Sequence, residues 1–218
     1  MRTIDFATKV QDMAAARRLS ALWKSSANYG LVSAEKNMYG EATAGSLDKL
    51  WQAIVRYVQT APDDLVCDWG AGAGKMLISR RFFAPYPGVR ALGIERDASV
   101  YETLRRNREI FHDPMVIIKR DSTTIEDWEG VTIVLQYDGP SQTHTETYHY
   151  DIITRILCTN SLKCLFSTKL NKPAFLRYAA AHGAIEPSDW VHIKVKNLSF
   201  GGCGYTGHLY IRRAAFNE

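Results

Sequence analysis

The residues best suited to chemistry lie in one run, Val66-Cys67-Asp68-Trp69-Gly70-Ala71-Gly72-Ala73-Gly74-Lys75. A short apolar strand runs into glycines at alternate positions and then into a helix. Glycine permits positive φ and lets a ligand approach the backbone closely, and a helix start directly behind it presents unpaired N–H groups. Glu95 closes the next apolar stretch, 27 residues beyond Asp68, and Asp121-Ser122 closes the one after. An acid at the end of a second strand accepts ribose hydroxyls. Asp121 and Ser122 are placed for an adenine amino group, and an ionised aspartate is a pure acceptor. Together these residues describe a pocket for an adenosine-bearing cofactor. A dinucleotide fingerprint reads G-x-G-x-x-G and holds a pyrophosphate. Here the third glycine comes one residue early, and Asp68 is an anion where a pyrophosphate would sit. That carboxylate suits the ammonium of S-adenosylmethionine, which makes methyl transfer the expected chemistry.

The elements that position these residues follow from hydrophobic periodicity. Strands fit 65–68, 89–95, 115–120, 131–137 and 162–168, alternating with helices at 75–83, 98–111, 144–157 and 173–182. Pro173 is tolerated in a first helical turn. Such alternation marks a parallel sheet with crossover helices. An earlier helix over 46–59 carries the stripe Leu47, Leu50, Trp51, Ile54, Val55 and Val58, with Ser46 placed to cap it. At the far end, two extended segments, 191–200 and 205–212, flank Gly201-Gly202-Cys203-Gly204 and predict an antiparallel hairpin. The expected fold is therefore α/β, the Rossmann-like class I methyltransferase arrangement, with a mostly parallel seven-stranded sheet and a C-terminal antiparallel hairpin. Residues 1–37, with Leu19, Leu22 and Trp23 at helical spacing, read as a basic helical arm, and residues 38–218 as the catalytic domain.

Bulk composition bounds this reading. With 218 residues, 46% hydrophobic and 23% charged, the chain is ordinary for a globular protein and long enough for one well-buried domain plus an appendage. No apolar run approaches a membrane span and no secretion signal opens the chain, so an intracellular protein is expected. Cys67, Cys158, Cys164 and Cys203 form no C-x-x-C pair, which argues against a zinc cluster or a disulfide scaffold. The net charge of +4 is compatible with an acidic partner without requiring one. Asp5 and Asp12, set among Arg2, Lys9, Arg17, Arg18 and Lys24, argue against a mitochondrial presequence.

In order and spacing over roughly residues 38–213, the chain resembles the non-SET histone lysine methyltransferases, the family named for disruption of telomeric silencing. The matching stretches are Tyr39-Gly40-Glu41, Asp68 to Gly74, Gly93-Ile94-Glu95-Arg96, Lys119-Arg120-Asp121, Ser167-Thr168-Lys169 and Ser199-Phe200. The resemblance implies that Tyr39 and Glu41 close over the methionine part of the cofactor, beside Asp68, Gly70, Gly72, Gly74, Lys75, Glu95, Arg96, Asp121 and Ser122. It implies a lysine channel built from Gln136, Tyr137, Asp138, Phe200 and Tyr205. The substrate would then be a lysine of nucleosomal histone three, and the location the nucleus. Arm residues Arg2, Lys9, Arg17, Arg18 and Lys24, with Lys194 and Lys196 on the hairpin, would contact DNA phosphates.

The chain departs from that family where the acceptor should sit. The fourth strand ends Leu135-Gln136-Tyr137-Asp138-Gly139-Pro140 instead of in paired asparagines, Lys75 replaces a glutamine and Phe200 a tryptophan. The long helical N-terminal domain of larger members is absent, so the resemblance is to a compact, divergent representative. No histidine is placed as a general base, and Asp138 before Gly-Pro reads as a turn former. Two alternatives stay open: a class I methyltransferase acting on another protein or on nucleic acid, and a catalytically silent cofactor-binding module. Gln136 to Pro140 lacks the Asn/Asp-Pro-Pro-aromatic pattern of base-modifying amino methyltransferases, whereas intact Asp68 and Glu95 weigh against silence.

Overall fold

The structure, a computed structural model, describes residues 42, 44–83, 89–136, 146–183, 185–200 and 203–218. Helix α1 (Ala44–Tyr57) buries Leu47, Leu50, Trp51 and Ile54 along one stripe. It begins before Ser46, which lies inside the first turn at 3% exposure and so is not at the N-cap position. Ala44, a strong helix former, extends the turn backwards and carries Ser46 into the interior.

Five strands follow in alternation with helices: β1 (Leu65–Asp68), α2 (Lys75–Phe83), β2 (Arg90–Glu95), α3 (Ala98–Ile110), β3 (Val116–Lys119), β4 (Ile133–Gln136), α4 (Glu146–Cys158), β5 (Cys164–Ser167) and α5 (Lys172–His182). A hairpin of β6 (Trp190–Phe200) and β7 (Cys203–Arg212) ends the sheet. The strand order is β3-β2-β1-β4-β5-β7-β6. Strands β1 to β5 pair in parallel, and β7 runs antiparallel between β5 and β6. The expected mixed seven-stranded sheet is thus what forms; β1 and α2 keep their expected bounds, β3 and β5 are shorter by one or two residues at each end, and the other ends lie within two residues of expectation.

The hairpin differs in detail. Phe200 pairs with Cys203, so Cys203 and Gly204 belong to β7 and not to the turn. The register shifts between Val195 and Leu198, where Asn197 takes a positive φ of 59°. Such a bulge increases local twist.

Two apolar layers sandwich the sheet. One joins α1, α2 and α3 through Leu50, Trp51, Leu77 and Leu104 to Leu135, Phe166 and Leu209 of the sheet. The other joins α4 and α5 through Ile152, Ile156, Phe175 and Tyr178 to Val134, Leu165 and Tyr210. Among the described residues no helix is long and apolar enough to cross a membrane.

One charged contact crosses the first layer. Arg80 of α2, only 1% exposed, gives Nη1 and Nη2 to both carboxylate oxygens of Asp113 at 2.9 and 2.8 Å. Its Nε donates to the Val89 carbonyl at 3.1 Å, and Nη1 also donates to the Leu77 carbonyl at 2.7 Å. Asp113 in turn accepts from the Met115 amide at 2.9 Å. One guanidinium therefore ties α2 to the entry of β2 and to the chain leading into β3.

The junction between β1 and α2 depends on Gly74, whose φ is +82°. A Cβ there would lie 2.5 Å from Leu104 Cδ1 of α3. Gly74→Ala is expected to cost on the order of 2 kcal/mol through left-handed strain and overpacking. A lower urea midpoint checks this, and an unchanged midpoint would contradict it.

Candidate active site

At the carboxyl end of the parallel strands, β1 delivers Asp68 into the interior at 2% exposure. The Gly70 amide faces Asp68 Oδ1 at 3.5 Å, at the limit of a hydrogen bond. Burial pushes this carboxyl up to about 7, opposed by that Gly70 bond and reinforced by the nearby Glu95 charge. The turn that follows is held by Gly74 N donating to the Ala71 carbonyl at 2.7 Å and Ala71 N to the Ile94 carbonyl at 3.0 Å. Asn107 of α3 donates to the Ala73 carbonyl at 2.8 Å. Lys75, the first residue of α2, is 8% exposed, and burial brings its amine down to about 7. Two buried groups of opposite sign thus flank the glycine turn.

Glu95, at the end of β2, accepts from the Gly72 amide at 3.0 Å through Oε2 and from the Asp97 amide at 2.8 Å through Oε1. Gly72 meets it with φ +54°. Burial raises its pKa, while the bonds from Asp97, Gly72 and Arg96 lower it. Three amides thus fill most of its acceptor sites, and what remains can accept a ribose hydroxyl. Asp97 then caps α3, its Oδ1 accepting from Ser99 N at 2.8 Å and Val100 N at 3.0 Å. Arg120 N donates to the Glu95 carbonyl at 3.0 Å, which seats the end of β3 beside that of β2. Asp121 therefore lies next to Glu95, with its Oδ2 3.8 Å from Arg96 Nη1, and Ser122 opens a single 3-10 turn. Among the described residues, Asp68, the glycine turn, Glu95, Arg96, Asp121 and Ser122 lie along one edge, where the sequence leads one to expect a cofactor.

At the end of β4, where the sequence leads one to expect an acceptor channel, Gln136 is 1% exposed. Its Oε1 accepts from Ser167 Oγ at 2.6 Å, and that oxygen accepts from Leu170 N at 2.9 Å and Lys169 N at 3.1 Å. The amide is held in one orientation, with Nε2 left as the donor. Across the sheet, Gln136, Ser167, His208 and Lys194 occupy one register row.

Tyr39, Glu41, Tyr137 and Asp138 lie outside the described residues, as do arm residues Arg2, Lys9, Arg17, Arg18 and Lys24. Phe200 ends β6, and Tyr205 on β7 is 39% exposed opposite Leu198. Lys194 and Lys196 are exposed. The sequence marks Ser167 only as part of a matching stretch and places no histidine as a general base, yet Ser167 holds Gln136, and His208 pairs opposite Ser167.

The shifts at Asp68 and Lys75 set the acid-base behaviour of the ligand-free protein. Asp68 titrates at 3.8 unfolded and about 7 folded, so its contribution to stability is full below 3.8 and is lost as pH rises through about 7. Lys75 titrates at 10.5 unfolded and about 7 folded, so its contribution is full above 10.5 and is lost as pH falls through about 7. Both groups therefore place a minimum near neutrality. Thermal melts across pH should show the ligand-free wild type gaining stability on either side of about 7 relative to an Asp68→Asn, Lys75→Met variant, a comparison in which the contributions of His192 and His208 cancel. A relative maximum there would contradict the assignment.

No protein-family model matches the chain, and no curated protein matches it by sequence. Solved structures do match. A protein from Clostridium thermocellum provisionally named an rRNA methylase superposes with a TM-score of 0.54 at 13% identity, covering 77% of this chain and 97% of that one. P. horikoshii TYW2, solved in complex with MeSAdo, gives 0.52 at 17% identity, covering 84% and 67%. The Escherichia coli protein yhhF, provisionally named a methyltransferase, gives 0.52 at 14%, covering 78% and 86%. With the strand order and the inserted antiparallel β7, these likenesses identify the Rossmann-like fold of the class I methyltransferases.

Proposed function

We propose that the chain binds S-adenosylmethionine at the edge formed by Asp68, the glycine turn, Lys75 and Glu95, and transfers its methyl group to a nitrogen beside Gln136. The observation that carries this reading is the pair of buried, oppositely charged groups on either side of the turn. A zwitterionic methionine end matches them, with its ammonium to Asp68 and its carboxylate to Lys75. Burial makes each charged form costly, and an opposite charge on the ligand offsets that cost. Glu95 takes the ribose hydroxyls, and Asp121 with Ser122 faces the adenine side.

The bound cofactor supplies an electrophilic methyl on a sulfonium, so the protein's task is alignment and exclusion of water. Gln136 does the aligning at the acceptor. Ser167 fixes its Oε1, and Nε2 donates to whatever oxygen or ring nitrogen precedes the reacting atom. Because Asp68 must be ionised to hold the ammonium, affinity for the cofactor falls as pH drops through about 7. Titrations at neutral and mildly acidic pH check this, and flat affinity would contradict the role of Asp68.

The finer reading is a histone lysine N-methyltransferase acting on nucleosomal histone three in the nucleus, with the basic arm against DNA. The order of Tyr39-Gly40-Glu41, the glycine turn, Glu95 and Ser167-Thr168-Lys169 supports it. A second reading, methylation of nucleic acid, draws on the lysines beside the acceptor edge. Incubation with methyl-labelled S-adenosylmethionine and nucleosomes, free histones or RNA separates the two. Label on nucleosomal histone three supports the histone reading, and label on RNA alone overturns it. If cofactor binds but no substrate is labelled, the silent-module alternative gains.

A further inference from the structure

Beside Gln136 and Ser167, β6 and β7 carry a histidine pair that the cofactor pocket leaves unused. His192 Nε2 and His208 Nδ1 lie 2.9 Å apart, with ring planes within 10° of parallel. Register sets His208 opposite Ser167 on β5 and opposite Lys194 on β6. Tyr210 stacks on His192 at 4.9 Å between ring centroids and Phe175 of α5 stacks on Tyr210 at 4.4 Å, so the pair rests on a fixed aromatic floor. The mutual bond uses one nitrogen of each ring. Among the described residues, His192 Nδ1 and His208 Nε2 make no other hydrogen bond, and they are the nitrogens a ligand would use.

The charges acting on this pair share one sign. Burial is the larger cause holding His192 down at about 4 and His208 below its ordinary value. Lys194 on β6 adds to both, and His208 and Lys172 at the start of α5 add to His192. An approaching ammonium would be repelled by Lys172 and Lys194, so this corner is unsuited to a lysine side chain. A phosphate reverses the sign of the field. Its arrival favours protonation of the imidazoles, which then donate charge-assisted hydrogen bonds. Lys169 and Lys196 are also exposed, on the segment before α5 and farther along β6. Lysines spaced along a strand and a helix entry fit successive phosphates of a chain better than one isolated anion.

We propose that His192, His208, Lys172 and Lys194 form a phosphate subsite that seats the backbone of a nucleic acid beside the acceptor edge. Its role in substrate binding rests on the methyltransferase reading, but its affinity for phosphate requires no cofactor. The two can therefore fail separately.

Histidine NMR titration of the full chain, with inorganic phosphate against chloride at equal ionic strength, tests the subsite. His192→Gln and His208→Gln assign the signals. Phosphate should raise the protonation midpoint of the pair, about tenfold in proton concentration, and Lys172→Met with Lys194→Met should remove most of that response. An unmoved midpoint in the wild type, or an equal shift in the double lysine variant, overturns the proposal. A single-stranded RNA and a DNA duplex of equal length then distinguish the source of the phosphate. At least one should bind more tightly as pH falls from about 7 to about 4.5, with this dependence lost in the histidine variants. Phosphate binding without such a response from either nucleic acid overturns the backbone role.

Discussion

Asp68→Asn should lower affinity for S-adenosylmethionine about a hundredfold and leave the ligand-free protein at least as stable as the wild type. Loss of one partner of a buried charge pair costs about 2–5 kcal/mol. The lower end applies, because a carboxyl near 7 is only partly ionised at neutral pH. Stability should move the other way. Asp68 is 2% exposed, and burial is the larger cause of its raised pKa, so a neutral amide of the same shape removes a cost of folding. Asparagine also keeps an acceptor for the Gly70 amide. Calorimetric titration and thermal melts on one preparation check both halves. A variant that loses stability while retaining affinity would make Asp68 structural.

The largest stability effect should come from Arg80→Met. The substitution leaves the Asp113 carboxylate, whose side chain is fully buried, without its bidentate partner. Removing one member of a buried pair costs about 3–5 kcal/mol, because the remaining charge is uncompensated. It also deprives the Val89 and Leu77 carbonyls of a donor. Arg80→Met with Asp113→Leu should recover part of the loss, since an apolar replacement of both partners leaves no orphaned charge. Full recovery is not expected, because the Met115 amide then loses its acceptor. Urea unfolding of the three proteins measures this, and equal losses for the single and double variants would contradict it.

The parts of the site legible in the sequence are those set by local pattern. The β1 strand, the alternating glycines and α2 lie within a single run, and Glu95 follows at one strand-helix-strand interval. Contacts that depend on register or distance were not legible. His192 and His208 are 16 residues apart, and they meet only once the hairpin register and its bulge between Val195 and Leu198 are known. Arg80 and Asp113 are 33 residues apart, and nothing in their spacing shows that they meet. Ser46 looks like a cap because its residue type favours that position, but α1 starts two residues before it. The acceptor side was hardest to read, since residues after β4 carry no periodic constraint and Gln136 gains meaning only through Ser167.

The most direct measurement is a binding titration of the full chain with S-adenosylmethionine, with a nicotinamide dinucleotide as control. The wild type should bind S-adenosylmethionine and not the dinucleotide, with binding largely lost in Asp68→Asn and weakened in Glu95→Ala. Wild-type affinity in both variants, or preference for the dinucleotide, would contradict the account.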